Sequence, residues 1–384
     1  MSTRRDPAIF SLMAKASPLK QWHQGNGAEF AEESGWLLPR RFGDPAREYQ
    51  AVRSGVGILD LCDRALLRFT GPDRISYLQG MVSNDVKKPT AGEGIYAAIL
   101  DIQGKILADA RLFCLDDAFL LELWEPLKEK ILAHLNHYLV ADDVEIADLA
   151  GQHAVLSLQG PKSPLLLKEL FPNTEPLSSD LAHRALHLDT AEVRVVRSSH
   201  TGEQGYDLFV PAKDLLHAVS VVQEKGKSLS LSWVGAEARE ILRIEAGILR
   251  YGVDMSEDNL LLETGLERAV SFHKGCYLGQ EVVERIRSRG HVNRKLAGLA
   301  LEGKTTPVRG SAIRAGGKEI GTVTSAALSP ARKLAVALGY VHRDYLEPGT
   351  AVTIESEGAT LPATVSPLPF YSPAGSLESP EELR

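Results

Sequence analysis

Apolar positions along the chain change their period several times, and each change marks an element. Residues 65–70, "ALLRFT", are rich in strand formers and run into the turn "GPDR", after which "ISYLQGMV" carries apolar residues at helical spacing. That predicts strand, turn, helix. The runs "GIYAAIL", "GKILADARLFCL" and "AFLLELW" are short and apolar, separated by Gly, Asp and Gln, as in a meander or hairpins. "EPLKEKILAHLNHYLV" spaces its apolar residues three and four apart and predicts an amphipathic helix. A weaker second series follows: "HAVLSLQGP" as strand and turn, "VRVVRSSHTGEQGYDLFVP" as a hairpin, "DLLHAVSVVQEKG" as a helix. "GAEAREILRIEAGILRYG" reads as helix up to Gly252.

Strands and helices mix here without strict βαβ alternation, which favours an α+β class over a doubly wound sheet. After "RSRGHVNRK" the texture changes to short strands and Gly turns, in "LAGLALEG", "GSAIRAGGKEIGTVTSAAL", "LAVALGYV" and "TAVTIES". These predict a separate C-terminal β-barrel of about the last hundred residues. The closing "SPAGSLESPEELR" is polar and expected to be loose.

A chain of 384 residues can bury a large core in two or three packed domains. Its 44% apolar and 24% charged residues are ordinary for a soluble protein, and no apolar run approaches the roughly 20 residues of a membrane span. No membrane association is expected. The N-terminus is basic but lacks a sustained apolar stretch, so it reads as a frayed leader, not a secretory signal. Cys62, Cys114 and Cys276 are far apart and outside any metal-ligand spacing, which points to a reducing, cytoplasmic setting without a bound metal. The net charge of -7 argues against wholesale nucleic-acid coating.

If "YAAIL" and "KILADARLF" pair as a hairpin, Tyr96 and Asp109 can share one wall of a pocket. Asp109 lies among apolar neighbours, so a buried carboxylate there needs a partner; an ordinary solvent-facing aspartate is the simpler reading. In "HTGEQGYDLFV" the glycines suit either a loop over a flat ligand or a plain hairpin. Arg239 and Arg243 lie four apart on an otherwise apolar helix, where arginine needs a carboxylate from protein or ligand. Cys276, beside His273 and Lys274 and before a helix, has a setting that favours thiolate. The run Arg285, Arg287, Arg289, Arg294 and Lys295 is either a solvated charge run or a site for an anionic tail or RNA backbone.

Taken in order, "GWLLP", "AVRSGVGILDL", "TGPDRISYLQGMVSNDV", "LQGP", "HTGEQGYDLFV", "GAEAREILRIEAGILRYGVDM", "GTVTSAALSP" and "VALGYV" resemble the glycine cleavage T-protein (aminomethyltransferase) superfamily over roughly residues 22 to 370. "KGCYLGQE" resembles the signature of its YgfZ branch, the folate-binding proteins tied to iron–sulfur cluster maintenance and tRNA modification. The resemblance implies a three-domain cloverleaf around tetrahydrofolate: a leader at 1–21, a folate-binding region at 22–290 of two α+β subdomains split near 150, the barrel at 291–371 and a tail at 372–384. It further implies that Asp109, the second position of the family's "GGIIDDL" turn, read here as "GKILADA", is catalytic together with Cys276. Tyr96, Asp109, His200, Asp207, Arg243 and Tyr251 would bind the folate, His200 standing where the family usually has tyrosine. Iron–sulfur enzymes or their assembly proteins, a lipoyl carrier protein and, more weakly, tRNA are the implied partners.

Overall fold

The computed structural model describes residues 14–373; of the loose tail expected at 372–384, residues 374–384 lie outside them, as do leader residues 1–13. Residues 14–21 are not leader: Lys15–Ala16 pairs in parallel with Trp36 and Leu37, and Leu19 is fully buried. Together with Glu29–Glu33 and Trp36–Arg41 they form a small three-stranded sheet.

Two larger sheets make up most of the chain. The first has five strands in the order Gly94–Leu100, Ile106–Cys114, Phe119–Trp124, Arg64–Thr70, Glu145–Asp148, the meander expected from its apolar runs. The second has six, in the order His183–Leu188, Ala191–Arg197, Gly205–Pro211, His153–Gln159, Val56–Asp60, Leu231–Trp233. Val56–Asp60 therefore joins strands that begin nearly a hundred residues later, pairing Ile58 with Leu158, so a cut near residue 150 does not separate the two sheets.

Period-2 alternation gives each sheet two faces with different work. On the five-stranded sheet Ala97, Ile99, Ala110, Leu112, Leu121, Leu123, Leu67 and Phe69 point to a core covered by the helices Arg74–Met81 and Lys128–Tyr138. The six-stranded sheet buries Leu156, Leu158, Val193, Val195, Leu208 and Val210 under the helices Ser163–Leu170 and Leu215–Gly226. Their other faces meet: Leu66, Phe113 and Leu120 pack against Val155, Val196 and Phe209, and the Phe113 and Phe209 rings lie edge to face at 5.7 Å.

The helix Ala236–Glu245 is shorter than its apolar spacing suggests. Gly247 adopts φ +68°, and Ile248 N–H and Gly247 N–H bond back to Arg243 and Ile244 carbonyls, closing the last turn. The chain then turns where a longer helix was expected. Beyond residue 293 a closed barrel forms in the order Arg294–Leu301, Leu334–His342, Lys318–Ser329, Ala312–Ala315, Ala351–Ser356, Ala359–Ser366. The α+β class and the C-terminal barrel are as expected.

Hydrogen bonds from barrel serines to buried ion pairs hold the barrel to the rest. Arg243 donates to Asp254 at 2.7 Å, to the Ile248 carbonyl at 3.0 Å and to Ser325 at 2.7 Å, and pairs with Glu240. At the same helix end Glu245 accepts from Arg53 at 2.6 Å, Tyr49 at 2.8 Å and Ser329 of the barrel. Removing one member of such a pair strands its partner, so Arg243→Ala is expected to cost about 3–5 kcal/mol in denaturant unfolding. Lysine should not restore it, because one ammonium cannot reproduce the planar fork.

Candidate functional site

The facing surfaces of the two sheets grade from apolar to charged along each strand. Two residues before Phe113 stands Arg111, and two before that Asp109; two after Leu120 stands Glu122; two before Phe209 stands Asp207; two before Leu66 stands Arg64. Alternation thus carries all five charged side chains to the inter-sheet face. Asp109 is half-buried on that face.

Tyr96, opposite Arg111 in the register, reaches diagonally and donates its O–H to Asp109 Oδ2 at 2.9 Å. Asp109 Oδ1 accepts no hydrogen bond from the described residues. The Arg268 guanidinium lies 4.9 Å from the Tyr96 ring centroid. Burial first, and the Asp109 charge second, push the Tyr96 hydroxyl well above its ordinary value, so it stays a donor.

Arg111 forms the bridge between sheets. It donates to Glu122 Oε2 at 3.3 Å and to Asp207 Oδ2 at 3.1 Å, while Arg64 holds Glu122 Oε1 at 2.8 Å. His200 Nε2 lies 2.9 Å from Asp207 Oδ2, and its backbone N–H is fixed by Gln159 at 3.0 Å. Burial drives Asp207 upward, but the charge and hydrogen bond of His200, with Arg111 and Ser157, outweigh it and hold the carboxyl low. Glu122, fully buried, is likewise held low against burial by Arg64 and Arg111.

Four of the predicted residues are thus brought together in two pairs: Tyr96 with Asp109, which the hairpin anticipated, and His200 with Asp207, which were named separately. Arg243 is not among them, since its donors are taken by Asp254, Glu240, Ile248 and Ser325. Tyr251 spends its hydroxyl on the Ile106 carbonyl at 3.0 Å and offers only its ring to a cavity that Trp124 also lines. Cys276 is exposed, and no hydrogen bond or ion pair joins it to the other predicted residues. Lys274 does not flank the thiol as expected: its ammonium turns inward to the Val82 and Asn84 carbonyls at 2.6 and 2.7 Å. Burial lowers its pKa to about 8, Lys87 adding to the effect and Asp85 opposing it. The "LGQE" segment docks instead on the Asp101–Gly104 turn, where a Cβ on Gly104 would meet Val282 at 2.9 Å. In the basic run, Arg294 and Lys295 pair with Glu263 and Glu267, and Arg287 stacks on Phe272 at 4.4 Å. Among the described residues no group of three or more His, Cys, Asp or Glu is placed to hold a metal, and no helix is long and apolar enough to cross a membrane.

Sequence reasoning missed Arg64, Arg111 and Glu122. A signal was present: a charge in an alternating apolar strand, at the same parity as Asp109.

Residues 19–274 match the GCVT N-terminal domain and residues 294–372 the glycine cleavage T-protein C-terminal barrel domain. The chain belongs to the glycine cleavage T-protein family. It is 32% identical to an aminomethyltransferase of Rubrobacter xylanophilus, covering 93% of this chain and 94% of that protein. It is 30% identical to one of Halothermothrix orenii, covering 93% and 99%. The crystal structure of the glycine cleavage system aminomethyltransferase T from Bartonella henselae superposes with a TM-score of 0.85 at 25% identity, covering 94% of this chain and 98% of that one. Membership of this family, with the barrel it brings, accounts for the fold on which the charged inter-sheet face is built.

The pH dependence of stability follows from Asp207. Its pKa is depressed on folding, so its contribution is present above the unfolded value of about 3.9 and is lost as pH falls through the lower folded value. Asp207→Asn should therefore lower stability near neutral pH by about 3–5 kcal/mol, with the gap to wild type closing as acid protonates Asp207. Chemical unfolding at a series of pH values checks this; a pH-independent gap would contradict it.

Proposed function

We propose that the chain is a tetrahydrofolate-dependent one-carbon transferase of the aminomethyltransferase type, with Asp109 as its catalytic carboxylate. The observation that carries this reading is the state of that side chain: one oxygen positioned by Tyr96 and the other without a partner on the half-buried inter-sheet face. Such an oxygen suits a ring or amine N–H, which it can accept, and a developing positive charge, which it can stabilise. Tetrahydrofolate, when bound, supplies the nitrogen that takes up the one-carbon unit. Asp109 and Tyr96 would hold the folate beside the reacting atoms. Asp207 contributes to that site only if His200 and Arg111 release it, and in this state both of its oxygens are engaged. That the relatives are aminomethyltransferases supports the same reading and with it a lipoyl carrier protein as donor partner.

The test is formation of ammonia and methylene-tetrahydrofolate from an aminomethylated lipoyl carrier protein. Asp109→Asn should lower turnover by about 10²–10⁴-fold while unfolding stays close to wild type. No product above background from the wild-type chain would contradict the reading.

One observation favours a second reading, the YgfZ-type role in iron–sulfur cluster maintenance: Cys276 is exposed, whereas Cys62 and Cys114 are buried. That reading requires the thiol and allows iron–sulfur enzymes, or more distantly tRNA, as partners. Cys276→Ser should then reduce cluster-enzyme activity in cells without another copy. Unchanged activity would remove the thiol from the account.

A further inference from the structure

After the last barrel strand, Ala359–Ser366, the chain runs back over the end of the helix Ala236–Glu245. Phe370 is buried in one cluster with Ile244, Leu338 and Tyr340, and the backbone N–H groups of Phe370 and Tyr371 both donate to the Glu245 carbonyl, at 2.8 and 3.1 Å. Close contacts fix the path on both sides. A Cβ on Gly247 would meet Leu368 at 3.2 Å, and one on Gly298 would meet Phe370 at 2.9 Å. Residues 368–371 therefore form an anchored strap that ends on the Tyr371 ring.

That ring covers Arg53, whose guanidinium carbon lies 3.8 Å from the ring centroid. The Arg53 side chain is 6% exposed and joins two elements. One terminal nitrogen donates to Glu245 at 2.6 Å, the other to Glu203 at 2.9 Å and to the Thr201 carbonyl at 3.1 Å. Thr201 and Glu203 belong to the loop 198–204 that carries His200. From its other side Gln159 holds the same loop, accepting from His200 N–H at 3.0 Å and from the Thr201 hydroxyl at 3.2 Å. Gly202, at φ +81°, packs so close that a Cβ there would meet Ala246 at 3.0 Å. The loop is thus held between Gln159, Arg53 and the end of the helix.

A guanidinium is planar and bonds only within its plane. Both ends of Arg53 are so engaged, and the tilt of the plane decides whether its donors reach the loop. A ring stacked on the face fixes that tilt and keeps water off it. The Tyr49 ring, 5.2 Å from the same carbon, gives weaker support. Burial first, then the charge and hydrogen bond of Glu203, raise the pKa of the Tyr371 hydroxyl, which stays protonated beside the loop.

We propose that Tyr371 and Arg53 are positioning residues for His200 and Asp207: the Tyr371 ring sets the Arg53 plane, Arg53 holds Thr201 and Glu203, and the loop so held keeps His200 Nε2 2.9 Å from Asp207 Oδ2. Neither residue needs to touch a ligand to act. The consequence for turnover rests on the one-carbon transfer reading given above; the ordering of the loop does not.

Hydrogen exchange read by mass spectrometry on the full chain, without ligand, tests the ordering. Tyr371→Leu leaves Phe370 and the backbone anchors in place, so it should speed exchange in residues 198–205 by about tenfold while the barrel strands Ala312–Ala315 and Ala351–Ser356 keep wild-type rates. Tyr371→Phe retains the ring and should stay within about twofold of wild type. Unchanged loop exchange in Tyr371→Leu, an equal rise in loop and barrel, or a Phe variant as fast as the Leu variant would overturn the proposal. In the ammonia-release assay turnover should fall in Tyr371→Leu and recover in Tyr371→Phe; a loosened loop with unchanged turnover would overturn the positioning role. An inactive wild type removes the one-carbon reading alone, and the exchange comparison still decides the loop.

Discussion

Arg111 stands between two buried carboxylates that belong to different sheets, Glu122 beside it and Asp207 across the gap. Neither acid could remain ionised there without a cation, and Arg111 supplies one to both across the gap. Everything chemical in the site follows from that constraint. The guanidinium is saturated by acids and by His200, so it does not reach for Asp109, which keeps one oxygen free. The apolar half of the same interface, around Phe113 and Phe209, supplies area, while the charged half supplies registry.

The same logic of paired burial separates structural from functional arginines. Arg243, Arg53 and Arg64 are each spent on buried acids, and they weld the barrel, the N-terminal helix Pro45–Ser54 and the sheet interior. Arg239 has no such partner although it lies one helical turn from Arg243. That difference, and not the presence of arginine, distinguishes a cavity-lining residue from a brace.

How much of this was legible in the sequence depends on the range of the interaction. Local periodicity predicted the meander, the amphipathic helices and most barrel strands, because those patterns are written within a few residues. The last barrel strand, Ala359–Ser366, escaped notice, its Pro362 and weak alternation hiding it. Sheet membership of Val56–Asp60 was not legible, since it depends on pairing with residues nearly a hundred positions away. The Tyr96–Asp109 pairing followed from a hairpin and was foreseeable. The fate of Arg243 was not, because Asp254 and Ser325 reach it only through the turn at Gly247 and the closure of the barrel. Lys274 looked like a neighbour of the thiol by adjacency, yet carbonyls nearly two hundred residues earlier claim it.

The central claim is that Asp109 holds a folate at the inter-sheet face. Anaerobic calorimetric titration of tetrahydrofolate into the wild-type chain and into Asp109→Ala tests it most directly. The account predicts saturable binding by the wild type that weakens by at least about tenfold in the variant, or 1.4 kcal/mol. Equal affinity in the two proteins, or no binding by the wild type, would contradict it.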